Sequence, residues 1–265
     1  NMTQVAKTKE NLPTLTNLED FAGQGAENIT ARDAKLPILK ILYSNSPVLD
    51  ESDGKFIETA RQGDIYNETT GSLYKGKDGI IVVPCLYINT FNEWKDRGDS
   101  PGRPIGIHTD PSIMQKTSRA DDGKDRLESG NYIEDTGNHF VYILDKEGNP
   151  LESALITMKS TQKKKSKLWN SMIQSRRMKG KNGFFCPPSW ATAYKLVTTK
   201  ESNSQTSWYG WVVEFERFLD KPTDSVTLET TKSFYETAKS SEIFGKVSFN
   251  EEPVASKSKE EDTPF

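Results

Sequence analysis

Between Gly79 and Phe218 the spacing of apolar residues switches from a period of two to a period of 3.6 and back again, which limits the fold more than any composition figure. Three strand-like runs come first. Gly79 to Trp94 (GIIVVPCLYINTFNEW) is rich in β-branched and aromatic residues, and Pro84 within it implies an edge position or a bulge. His139 to Leu144 (HFVYIL) and Leu151 to Ser160 (LESALITMKS) flank the turn Lys146-Glu147-Gly148-Asn149-Pro150, which predicts a hairpin. From Thr161 to Lys179 the residues Leu168, Trp169, Met172, Ile173 and Arg176 recur at helical spacing, with Ser160 or Thr161 able to cap the start. Trp190 to Thr198 and Ser207 to Phe218 are strand-like again. In the latter, Tyr209, Trp211 and Phe215 share the face expected in the core, which leaves Trp208 outward.

Three strands, a helix and two strands form the order of an OB-fold, a five-stranded Greek-key barrel that binds oligonucleotides and oligosaccharides. Other antiparallel sheets share that order. The expected class is therefore mainly β (α+β), an OB-type barrel with a helix between strands three and four. Extra N-terminal strands come from Lys35 to Tyr43 and Lys55 to Thr59 across Asp53-Gly54, and a C-terminal helix runs roughly from Val226 to Phe244. Residues 1–30 read as a flexible lead-in, 31–245 as the domain and 246–265 as a disordered acidic tail. Residues 95–135 carry few large apolar side chains and read as a long polar surface loop.

Several function classes find little support. No apolar run reaches the 18 or so residues of a membrane span, and Asn1 to Glu10 lacks a signal-peptide stretch, so the expected location is the cytoplasm. Cys85 and Cys186 stand far apart and are expected to be reduced and buried. The only histidines, His108 and His139, have no metal-ligand spacing, and no phosphate-cradling glycine motif or nucleophile elbow occurs. The chain is read as a non-enzyme without metal or cofactor. A metal-dependent nuclease could use pairs such as Asp121-Asp122 or Glu214 and Glu216, but 38 acidic residues supply such pairs by chance.

Charge is concentrated. The formal net charge is −3, yet Lys159, Lys163, Lys164, Lys165, Lys167, Arg176, Arg177, Lys179 and Lys181 fall in one stretch with no acidic residue. Such a run can be a solvated helix face. Here it follows a predicted barrel strand and is interleaved with aromatic residues. Cations that track a phosphate backbone beside aromatic faces that stack on bases are what single-stranded nucleic acid binding requires. The candidate DNA-binding set is those nine residues with Phe184, Trp190, Tyr194 and Trp208.

The chain ends in Glu260-Glu261-Asp262-Thr263-Pro264-Phe265, within an acidic stretch that also holds Lys257 and Lys259. An exposed aromatic beside carboxylates suits a partner's pocket. This end resembles the acidic tip, closing on Pro-Phe, of bacterial single-stranded DNA-binding proteins. With the basic and aromatic groove and the pattern from Gly63 to Trp94, the whole resembles phage-encoded replication single-stranded DNA-binding proteins. The resemblance implies that the protein coats single-stranded DNA during replication, recombination and repair in an infected bacterial host. It also implies that Glu260, Glu261, Asp262, Pro264 and Phe265 recruit replication and recombination proteins, such as DNA polymerase or helicase/primase, and compete with DNA for the groove. A homodimer is compatible with this reading. A strand-annealing recombination protein is the alternative.

Overall fold

A computed structural model describes residues 24–29, 35–96, 98–99 and 102–240. The chain divides into two units, 1–34 and 35–265, and the second carries the fold considered below. It is mainly β, with one curled, half-barrel sheet and a few helices.

The strands in chain order are β1 (Ile38–Ile41), β2 (Ile65–Asn67), β3 (Leu73–Tyr74), β4 (Ile80–Trp94), β5 (Gly106–His108), β6 (Ser118–Arg119), β7 (Asp125–Arg126), β8 (Tyr132–Leu144) and β9 (Pro150–Lys159). Helix α1 (Lys163–Ser175) follows, then a small hairpin of β10 (Met178–Gly180) and β11 (Gly183–Phe185), the long pair β12 (Thr192–Ser202) and β13 (Ser207–Phe218), and helix α2 (Ser225–Lys239). Along the sheet the order is β13-β12-β4-β8-β9-β1-β2-β3. The outer edge of β9 carries β1 in parallel, with Ile38 opposite Leu155 and Leu39 opposite Ile156, so β9 and β13 are not neighbours.

Curling brings one face of the sheet around a single core. Ile41, Ile65, Val82, Val141, Ile156, Leu196 and Trp211 enter it from seven strands, and α1 adds Trp169, whose side chain is fully buried. On the other face, Val83, Cys85, Leu144, Ala193 and Leu219 make a smaller cluster covered by Leu228, Phe234 and Tyr235 of α2. The far strands come back towards β12: the Thr198 amide donates to the Gly76 carbonyl at 2.9 Å, and the Thr198 hydroxyl donates to the Gly63 carbonyl.

The two long hairpins and both helices fall where the periodicity predicts them, and four expectations change. Residues 55–59 form turns instead of a strand, because the Asp50 and Asp53 carboxylates bind the amides of Ser52 and Lys55; β1 pairs with β2 instead. Pro84 meets the second of its two expected settings: it lies in a central strand between β12 and β8, and the bulge between Pro84 and Leu86 absorbs its missing donor. The stretch 95–135 is not one long loop. It holds β5 against β4, a turn of helix at Pro111–Lys116 capped by Asp110, and β6 paired with β7, with Arg126 bridging Asp96 and Asp122. Strand β8 starts at Tyr132, seven residues before the apolar run, because the polar residues there continue the ladder with β4 up to Trp94. Cys85 is buried as expected, whereas Cys186 is exposed.

Candidate nucleic-acid interface

Helix α1 is fixed to the sheet by polar contacts under it. The expected caps Ser160 and Thr161 are not used. Gln162 stands at the helix start with its side chain turned to the sheet, where Oε1 accepts from the Trp211 amide at 2.8 Å. Ser166 Oγ lies 2.8 Å from His139 Nε2, and the approach is open only because residue 137 is glycine: a Cβ there would meet the Ser166 hydroxyl. Burial, and then the charge of Lys163, push the His139 pKa down to about 3, so this imidazole is neutral at ordinary pH.

The anchored helix sorts the nine cations into two groups. Lys159 pairs with Glu134 at 3.0 Å, Lys163 with Asp135 at 2.6 Å and with Asn89, and Lys165 with Glu201 at 2.8 Å. Arg176 lies over the Phe215 ring, 4.5 Å from its centroid, and its Nε donates to the Met172 carbonyl. These four tie α1 and its flanks to the sheet. Lys164, Lys167, Arg177, Lys179 and Lys181 are exposed and make no ion pair among the described residues. They follow the outer surface of α1 and the β10–β11 hairpin. Spacing alone could not separate the groups, since the acidic partners lie on distant strands.

The aromatic candidates divide as well. Tyr194 is fully buried, with Trp169 and Phe215 edge-on to it, and so belongs to the core. Trp190 packs into the cluster beneath α2, where its carbonyl accepts from Thr231. Trp208 is half-buried and its indole Nε1 donates to Glu201 at 3.0 Å, which fixes the ring. Burial works to raise the Glu201 pKa, but its bonds to Lys165, Trp208 and Gln162 outweigh that effect and hold it low. Phe184 is the candidate in the open, at 75% exposure. Beside it Phe185, one of the aromatics that the sequence interleaves with the basic run, is 46% exposed, and Leu168 on α1, which lies outside the candidate set, is 56% exposed. The two adjacent phenylalanines after Gly183 lie in a hairpin too short to bury both.

Five unpaired cations and three exposed apolar side chains therefore share α1 and the hairpin that leaves it. The two segments are in contact: the Cys186 thiol, just after β11, reaches the carbonyls of Ile173 and Gln174. Among the described residues, no three His, Cys, Asp or Glu side chains gather as a metal-binding group. Glu260, Glu261, Asp262, Pro264 and Phe265 lie outside the described residues.

The description Pam3 phage gp34-like protein belongs to a family whose model matches residues 6–244. The chain belongs to this phage protein family. No curated protein and no solved structure matches the chain. The family match spans the sheet, both helices and the β10–β11 hairpin, and stops before the acidic residues from Glu251 onward. No helix among the described residues is long and apolar enough to cross a membrane.

Proposed function

We propose that this phage protein binds single-stranded DNA without sequence preference and covers it during replication, recombination and repair. One observation carries the reading. Lys164, Lys167, Arg177, Lys179 and Lys181 stand free of acidic partners among the described residues, beside the exposed rings of Phe184 and Phe185. Cations in such a row neutralise phosphates, and rings in the open stack on bases, which a duplex would keep hidden.

The strand order supports the same reading. The order β13-β12-β4-β8-β9, with α1 between β9 and β12 in the chain, is the order that an oligonucleotide-binding barrel would have, with β1 beside β9 where such a barrel would close. Acidic residues at Glu260, Glu261 and Asp262 are the proposed contact for replication and recombination proteins.

A gel-shift comparison of single-stranded and duplex DNA of the same sequence, with chelator present, tests the proposal. Single strands should be retained at concentrations at which the duplex runs free and neither is cut. Equal retention of both forms, or of neither, would overturn it.

A further inference from the structure

Beside the exposed row, a cleft of about 270 Å³ opens between α1, the bulge in β4 and the turn at Ser189. Its floor is aromatic: Tyr87 and His139 line it with ring centroids 4.8 Å apart and planes tilted by 48°. Pro84, Leu86 and Ile173 give it apolar walls. At the mouth stand the carboxamides of Asn170 and Gln174, which make no side-chain hydrogen bond among the described residues. His139 uses Nε2 towards Ser166, and no described group binds its other ring nitrogen.

These features share one chemistry. A flat heteroaromatic molecule suits a cleft between apolar walls, and carboxamides, each both donor and acceptor, match the mixed hydrogen-bonding edge that every nucleobase carries. The volume has room for a nucleobase. The position points the same way. Lys167, Asn170 and Gln174 follow one another at three and four residues along α1 and so share a face, which places a free ammonium beside the mouth. The Gln174 carbonyl accepts from Arg177, which sets a second cation at the other end of the cleft.

We infer that this cleft takes a single unstacked nucleobase from a bound DNA strand, with the Asn170 and Gln174 carboxamides on the base edge and the phosphates on either side facing Lys167 and Arg177. The inference rests on the single-stranded DNA reading and adds a second kind of base contact to it. Phe184 and Phe185 would stack on bases without reading their edges, whereas the cleft requires an edge that can hydrogen-bond.

Fluorescence anisotropy can separate the two contacts. The probes are a labelled oligo-dT and the same strand with every thymine replaced by difluorotoluene, which keeps the shape and the stacking but cannot hydrogen-bond in the same way. The protein should bind the isostere strand about tenfold more weakly, since a base seated in the cleft covers the two carboxamides from water and the isostere gives them no partner in return. The double variant Asn170→Leu, Gln174→Leu should bind both strands alike, at the weaker level. Asn170 is half-exposed and Gln174 exposed, so melting temperature should confirm that the variant folds. Gln174→Ala alone should remove part of the discrimination. Equal binding of both strands by the unaltered protein, or full discrimination by the double variant, would overturn the cleft assignment and leave the single-stranded DNA reading intact. Failure to bind either strand would overturn both.

Discussion

His139 and Trp169 lie ring on ring, with centroids 4.4 Å apart and planes 18° from parallel, so the helix that carries the exposed cations is seated on a buried imidazole. Ser166, three residues before Trp169, holds that imidazole from the same helix. The position of Lys164 and Lys167 in space thus follows from a contact in the interior.

Stability should depend on pH through this seat. The folded pKa of His139 is lowered to about 3, while an unfolded histidine titrates near its ordinary 6.5. Below 6.5 the unfolded chain takes up a proton that the folded one refuses, so the stabilisation present above that pH is lost as pH falls towards 3. The loss approaches about 1.4 kcal/mol per pH unit. Urea unfolding at pH 7 and pH 5 should show the stability gap between the unaltered protein and His139→Gln shrinking by about 2 kcal/mol. A constant gap would mean that the imidazole is charged or solvated in the fold.

The two groups of cations should separate by salt. Each lysine that contacts a phosphate contributes about −0.7 to the log-log slope of affinity for single strands against salt. Replacing Lys164, Lys167 and Lys179 together by Gln should flatten the slope by about 2 without altering the melting temperature. Lys163→Gln and Lys165→Gln should do the reverse. Each leaves Asp135 or Glu201 without its partner, lowering stability by about 1 kcal/mol with little change in slope. The measurement is a salt titration of oligo-dT binding beside thermal melts of the three variants.

Aromatic candidates should sort by the same pair of readouts. Phe184→Ala should weaken single-strand binding by about 5- to 100-fold, the worth of one stacked base, while the melting temperature stays put. Tyr194→Ala should lower stability by about 3 kcal/mol or more, since the ring is fully buried between Trp169 and Phe215. An affinity loss for Phe184→Ala that only tracks unfolding would remove the hairpin from the interface.

These outcomes also mark how far the residues alone could be read. Strands 79–94 and 207–218 and the hairpin at 139–160 were legible because apolar spacing reports which face is buried. The start of β8 at Tyr132 was not, because YIEDTGN pairs through its backbone and carries little apolar signal. Within the basic run every lysine looks alike, and only tertiary pairing with Glu134, Asp135 and Glu201 shows which are spent on the fold. Tyr194 failed as a platform for a related reason. Its strand is covered on both faces, by the main core on one and by α2 on the other, and period two cannot mark an outward side there.

The junction that curls the sheet can be tested at one atom. Gly76 follows β3, and its carbonyl accepts from Thr198 of β12 while its amide donates to Asp64 at 3.2 Å. A Cβ at this position would fall on the Gly63 carbonyl oxygen and on Thr198 Oγ1. Gly63 cannot retreat, because it stands at a φ of +89° with the Tyr209 ring against it. Asp64 is equally fixed, since it accepts from the Arg61 amide and from Lys75 Nζ, both at 2.9 Å. Gly76→Ala must therefore push β12 away from the loops around β2 and β3, at a cost of about 2–3 kcal/mol. Gly71→Ala is the control: its φ of +75° brings backbone strain of about 1 kcal/mol, but open space surrounds the new methyl group. Hydrogen exchange at the Thr198 amide should quicken in Gly76→Ala and not in Gly71→Ala. Because α1 is anchored separately on His139 and Trp211, oligo-dT affinity should be the same in both variants under conditions where each is folded. Equal stability and equal exchange in the two variants would mean that the sheet does not return to β12 in solution.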